Sequence, residues 1–104
     1  MTQYLYRIRP TRLGLLVEST PEEDRIVGEH FEYLKRLTER GIVLLAGRTL
    51  NTDPSSFGFV IFAAEDAVTA RSILENDPAV RAGVFEGELF PYRNALVSGE
   101  ILAI

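Results

Sequence analysis

The sequence predicts an α+β domain in which strands and helices follow the order strand, helix, strand, strand, helix, strand. Three observations carry this. Residues 20–40 hold a capped, amphipathic helix signal. Two apolar runs, 42–50 and 57–64, flank a cluster of turn formers. A second helix signal at 67–76 leads into another strand-like segment.

Residues 3–9, "QYLYRIR", are rich in Tyr, Leu and Ile and stop at Pro10, the pattern of a strand. Within residues 10–19, "LGLLV" either extends that strand or forms a loop. "TPEE" at 20–23 is a helix start with a mechanism. Thr20 caps, Pro21 suits the first helical position and Glu23 completes a capping box. Glu22, Glu23 and Asp24 complement the positive end of the helix dipole. The helix should run to about Arg40, where Gly41 offers a left-handed stop. At about 100° per residue, Ile26, Val27, His30, Phe31, Leu34 and Leu37 share one stripe. Glu29, Glu32, Lys35, Arg36 and Glu39 fall on the other side. His30, the only histidine in the chain, therefore points toward the interior or into a cleft.

Residues 42–50, "IVLLAGRTL", read as a second strand and 57–64, "FGFVIFAA", as a third, joined as a hairpin through "NTDPSS". The third strand is apolar at nearly every position, so both of its faces should be covered. Asp66 caps a second helix over about 67–76, with Ala67, Ala70, Ile73 and Leu74 as its stripe. Extending that projection puts Asp77 on the inward side. Pro78 pushes the residue before it away from helical geometry, so Asp77 ends the helix and aims roughly inward. Residues 83–96 give a fourth strand, and "EILAI" at 100–104 is an apolar tail suited to docking as an edge strand.

This βαββαβ order is the split βαβ, or ferredoxin-like, arrangement. Right-handed crossovers put both helices on one face of a four-stranded antiparallel sheet. The apolar runs at 42–50 and 57–64 are too greasy to leave the other face in water. A second copy should cover it, giving a symmetric homodimer and a dimeric α/β barrel-like assembly.

Bulk properties narrow the function. A length of 104 residues fits one domain spanning 1–104. A net charge of −4, with scattered Lys and Arg, lacks the basic footprint of a nucleic-acid binder. The absence of cysteine excludes disulfides, thiolate catalysis and iron–sulfur ligation. No signal peptide is visible, and no apolar run approaches the ~20 residues that span a membrane, so a cytoplasmic protein is expected. One histidine argues against zinc. "DAVTARSILEND" lacks a calcium-loop rhythm. "GIVLLAGRT" lacks the Walker lysine, and no Gly-x-Ser-x-Gly elbow occurs. The expectation is a protein without cofactor that acts on a small molecule.

"EEDRIVGEHFEYLKRLTERGIVLLAGRT" followed by "FGFVIFAAEDAVTARSILENDPAVRAGVFEGELFPYRNAL" resembles the YCII-related (YciI-like) proteins over about residues 3–97. The marks are a histidine in the first helix, "LLAG" in the second strand and an Asp-Pro closing the second helix. The resemblance implies a dimeric ferredoxin-like fold. It also implies a His–Asp pair regarded as the candidate active site, which matches His30 and Asp77. One branch of the family resembles muconolactone-type dehalogenases.

A carboxylate beside an imidazole fixes its tautomer and lets it move protons as a general acid/base. Proton abstraction next to a carbonyl, or elimination of a leaving group, needs little more. Taken with the resemblance, this implies lyase- or isomerase-type chemistry on a small organic acid or lactone. The alternative is a non-catalytic dimeric ligand-binding or scaffold domain, with His30 a core residue and Asp77 a stop signal. A cofactor-free oxygenase is a fold-level analogy only. Arg7, Arg48 and Tyr92 are candidate substrate-binding residues. Each also has a plainer reading: an edge salt bridge for Arg7, a rim ion pair for Arg48 at the end of a buried strand, and packing for Tyr92, as for Tyr4, Tyr6 and Tyr33. Gly47 and Gly58, inside strands, mark a bulge or close approach that opens a cleft or makes room for a helix.

Overall fold

The computed structural model describes residues 1–99. Alternation along β1 (Thr2–Pro10) puts Tyr4, Tyr6 and Ile8 on one face, and all three are buried. β2 (Val43–Arg48), β3 (Gly58–Ala64) and β4 (Phe85–Tyr92) complete an antiparallel sheet in the order β2-β3-β1-β4. Three helices, α1 (Pro21–Glu39), α2 (Ala67–Glu75) and the one-turn α3 (Pro78–Arg81), cover the face that carries Tyr6. Leu34 and Leu37 of α1, Ala70 and Leu74 of α2, and Val60 and Phe62 of β3 close the core over it. Phe62 is wholly buried, and burial of a side chain that size contributes about 1.5–3 kcal/mol. No helix among the described residues is long and apolar enough to cross a membrane.

The start of α1 follows its sequence signal. Glu23 N–H donates to Thr20 Oγ1 at 3.1 Å, and Thr20 N–H donates to Glu23 Oε1 at 2.9 Å. Gly41, at φ 75°, takes the left-handed stop after α1. Residues 13–16 settle into a 3-10 turn rather than a strand extension. The turn is held by Arg12, whose guanidinium pairs with the Glu23 carboxylate and donates to Glu18 O at 3.0 Å. Arg12 first, and then the Thr20 backbone, hold the Glu23 carboxyl at about 2, well below its ordinary 4.5. A depressed carboxyl pKa gives stability that is present above the unfolded value and lost as pH falls toward the folded one. Acid titration of the wild type against Glu23→Gln, followed by circular dichroism, is therefore expected to show an advantage for Glu23 above pH 4.5. That advantage should fade as the pH approaches 2.

Two elements differ from their sequence expectation. β2 was expected as a buried strand, yet from Leu44 to Arg48 it is exposed. It is the edge strand, with an open sheet face on one side and an uncovered gap beneath α1 on the other. β3, one strand further in, is buried nearly throughout. The break in β2–β3 register lies between Val43 and Leu45 rather than at either glycine. The second difference lies at Asp77, which begins a helix instead of ending one. The tail at 100–104 lies outside the described residues.

Candidate active site

Asp77 is placed by its own backbone. α2 ends at Glu75, the chain extends at Asp77, and Pro78 opens α3 from the first helical position. As the cap of that turn, Asp77 Oδ1 accepts from Ala79 N–H at 3.0 Å. The Asp-Pro pair is thus a helix start, which turns the carboxylate under the sheet-facing side of α1.

Two further donors meet the carboxylate there. Tyr6 Oη, from the middle of β1, donates to Oδ2 at 2.7 Å. His30 Nδ1 lies 2.8 Å from Oδ1 and 2.7 Å from Oδ2. A carboxylate only accepts, so the Nδ1 proton belongs to the histidine. Nε2, on the far side of the ring, has no hydrogen-bond partner among the described residues. Asp77 is completely buried, whereas the His30 side chain keeps 12% of its surface exposed. The imidazole stands edge-on to Phe85, with ring centres 5.2 Å apart.

Burial first, and then the charge of Asp77, drive the Tyr6 phenol far above its ordinary range, so it stays a proton donor to Asp77. Tyr33 donates to Ile73 O at 2.7 Å, and burial followed by Asp77 pushes its phenol up to about 12. The centre therefore contains one buried acceptor, satisfied from three elements, and one ring nitrogen left unsatisfied.

His30 lines a cleft of about 740 Å³ between α1 and the sheet. Its walls are mainly apolar: Ile8, Leu15, Phe31, Leu34 and Val60 contribute, and Gly58 forms part of the floor. The predicted α1 stripe is wider than the sheet can cover. Ile26, Leu34 and Leu37 reach the core, while Val27 and Phe31 face the cleft, and Phe31 remains 63% exposed. A mainly apolar pocket of this size with a few polar groups among its lining, His30 and Arg48 included, has the form of a small-molecule site.

Of the other sequence candidates, the structure brings only Arg48 to this cleft. Arg7 is on the opposite sheet face, because Tyr6 and Ile8 on either side of it face the helices. There it pairs with Glu88 at 2.6 Å and lies 5.7 Å from the Phe90 ring centre. Tyr92 sits opposite Gln3 at the far end of β4, seven residues or roughly 23 Å along the strand from Phe85. None of the four tyrosines lines the cleft. Tyr6, a packing residue by its sequence pattern, holds the carboxylate. Its place on β1 was legible from alternation, but its partner, 71 positions away, was not. Among the described residues, no three His, Cys, Asp or Glu side chains gather as a metal site requires.

Residues 3–91 match the YCII-related domain family. Three solved structures share the fold. The 5-chloro-2-hydroxyhydroquinone dehydrochlorinase of Burkholderia phenoliruptrix, in complex with 2,5-dihydroxybenzoquinone, aligns with a TM-score of 0.65 at 23% identity. That alignment covers 88% of this chain and 95% of that one. A muconolactone isomerase aligns at 0.63 and 13% identity, covering 93% and 94%. An uncharacterised protein of Thermotoga maritima aligns at 0.52 and 13% identity, covering 88% and 95%. Comparison with curated proteins gives no match.

Proposed function

Given that the chain belongs to the YCII-related domain family, we propose that it is a small cofactor-free enzyme of lyase or isomerase type. It would act on a small organic acid or lactone bound in the cleft beside His30. The observation that carries this is the bond of 2.7 Å between His30 Nδ1 and buried Asp77, with the other ring nitrogen free beside a cleft. Nε2 takes a proton from a carbon next to the substrate carbonyl, and the C–H electron pair becomes a C=C bond. A leaving group on the adjoining carbon then departs, or the proton returns to a different carbon. Asp77 holds the ring in place and stabilises the imidazolium formed in between. Dehydrochlorination and lactone isomerisation, named for two proteins of this fold, are both reactions of this kind.

The test is exchange into D2O of the hydrogens next to the carbonyl of unsaturated γ-lactones, with and without a carboxymethyl arm, followed by proton NMR. The protein is expected to accelerate exchange, and His30→Gln to lose about 10²–10⁴-fold of that rate. An unchanged rate in a folded His30→Gln variant would contradict the proposal. The threefold bonding of buried Asp77 favours a second reading, a non-catalytic ligand-binding domain in which the dyad is structural. That reading expects ligand-induced shifts at the cleft without exchange.

The active form in this proposal is a symmetric homodimer, and the cysteine-free chain works in the cytoplasm. The sheet face away from the helices carries Leu45 and Phe90, 41% and 40% exposed, with Ile61 between strands. It also carries Arg9, whose buried Nε has no hydrogen-bond partner among the described residues. A second copy on this face would cover the apolar groups and offer Arg9 an acceptor. Light scattering is expected to give twice the 11.6 kDa chain mass; a monodisperse monomer at micromolar concentration would refute the dimer.

A further inference from the structure

The cleft has two chemically different ends. Its floor can be followed across the sheet, because Arg48 lies opposite Gly58, Gly58 opposite Ile8, and Ile8 opposite Gly87. Arg48 on β2 is thus three strand spacings from β4, roughly 14 Å at about 4.8 Å each. His30 lies at the β4 end, against Phe85. Between the two ends the floor is apolar and low. Gly58 has no side chain, and a Cβ there would stand 3.0 Å from Ile8 Cγ1. Val27, Phe31 and Leu34 form the α1 side.

The far end is cationic. Arg48 lines it from β2 and Lys35 from α1, one turn beyond Phe31. Neither makes an ion pair or a side-chain hydrogen bond among the described residues. Glu39 also lines the cleft, so the two cations and one carboxylate leave a single positive charge. An unpaired guanidinium at the mouth of an apolar trough suits one planar oxyanion, which it can grip through two parallel N–H groups.

We infer that the cleft selects a single-ring monocarboxylate, held by Arg48 with Lys35 beside it, its ring lying over Gly58 and Ile8 and its far edge presented to His30. The inference rests on the acid/base reading of the same cleft and supplies the substrate class and its orientation. The span of roughly 14 Å must hold both the Arg48 and the His30 side chains as well as the ligand, so one ring suits it better than two. A neutral ring would fill the trough but gain nothing at Arg48.

Benzoate, its neutral isostere benzamide and the two-ring acid biphenyl-4-carboxylate are suitable probes, titrated into the whole chain and followed by amide NMR shifts. Benzoate is expected to bind at least tenfold more tightly than benzamide, with shifts at Phe31, Gly58 and Arg48. Biphenyl-4-carboxylate is expected to bind more weakly than benzoate. Arg48→Gln should reduce benzoate to the level of benzamide, and Lys35→Gln should reduce it in part. Equal binding of benzoate and benzamide, or a benzoate preference that survives Arg48→Gln, would overturn the inference. So would an absence of shifts at the cleft. The acid/base reading is tested separately: a retained benzoate preference in His30→Gln, combined with no proton exchange in the wild type, supports the anchor and removes the chemistry.

Discussion

Asp77→Ala is expected to destabilise the protein by about 1.5–5 kcal/mol, the largest cost of any single substitution at the site. The carboxylate accepts from Tyr6, His30 and Ala79 and has no contact with water. Its removal strands the Tyr6 hydroxyl in the core, and each buried group left without a partner costs about 1–3 kcal/mol. Loss of the α3 cap adds about 0.5–2 kcal/mol. His30 suffers less, since its ring reaches the cleft and can be hydrated there. Urea denaturation measures the difference. Thermal unfolding should fall by about 6 °C or more, at ~4–8 °C per kcal/mol for a domain of this size. A loss below about 1 kcal/mol would mean that Asp77 does not anchor the region.

Asp77→Asn separates chemistry from stability. Asparagine keeps the shape and can still bond to Ala79 and Tyr6, so the fold should survive with a loss of about 1 kcal/mol. It removes the negative charge that stabilises an imidazolium and offers an N–H group where His30 Nδ1 needs an acceptor. The ring is then free to take the tautomer with its proton on Nε2, which cannot act as a base. The same replacement beside the histidine of a serine protease costs about 10⁴-fold through the wrong tautomer. Here the rate of proton exchange on a lactone probe is expected to fall by about 10²–10⁴-fold. Binding of benzoate at Arg48 should change little, because the two ends of the cleft are separate.

The order of elements was legible because each carries a local signal. The Thr20–Glu23 capping box, the α1 stripe and the apolar β3 each required only neighbours in sequence. His30 was legible for the same reason, being the one polar ring on that stripe. Asp77 was placed on the right side for an incomplete reason. An Asp-Pro reads equally as the end of one helix or the start of the next, and the short α3 that decides it is only four residues long. Arg48 could be placed beside a cleft only once α1 was seen to leave β2 uncovered. Which of the four tyrosines held a carboxylate was beyond sequence reasoning, since the Tyr6–Asp77 bond depends on how β1 and α3 are stacked. Arg7 makes the edge salt bridge of its plainer reading, with Glu88; strand alternation fixes which residues share a face, but the side taken by the helices had to be settled by Tyr6 and Ile8.

The central claim, that Asp77 holds His30 with Nε2 free to accept a proton, is tested most directly by long-range ¹H–¹⁵N NMR of the imidazole. The neutral ring of the wild type should carry its proton on Nδ1, with a downfield signal from its bond to the carboxylate, and Asp77→Asn should move population toward Nε2–H. A wild-type neutral ring protonated on Nε2, with the Nδ1 signal insensitive to Asp77→Asn, would contradict it.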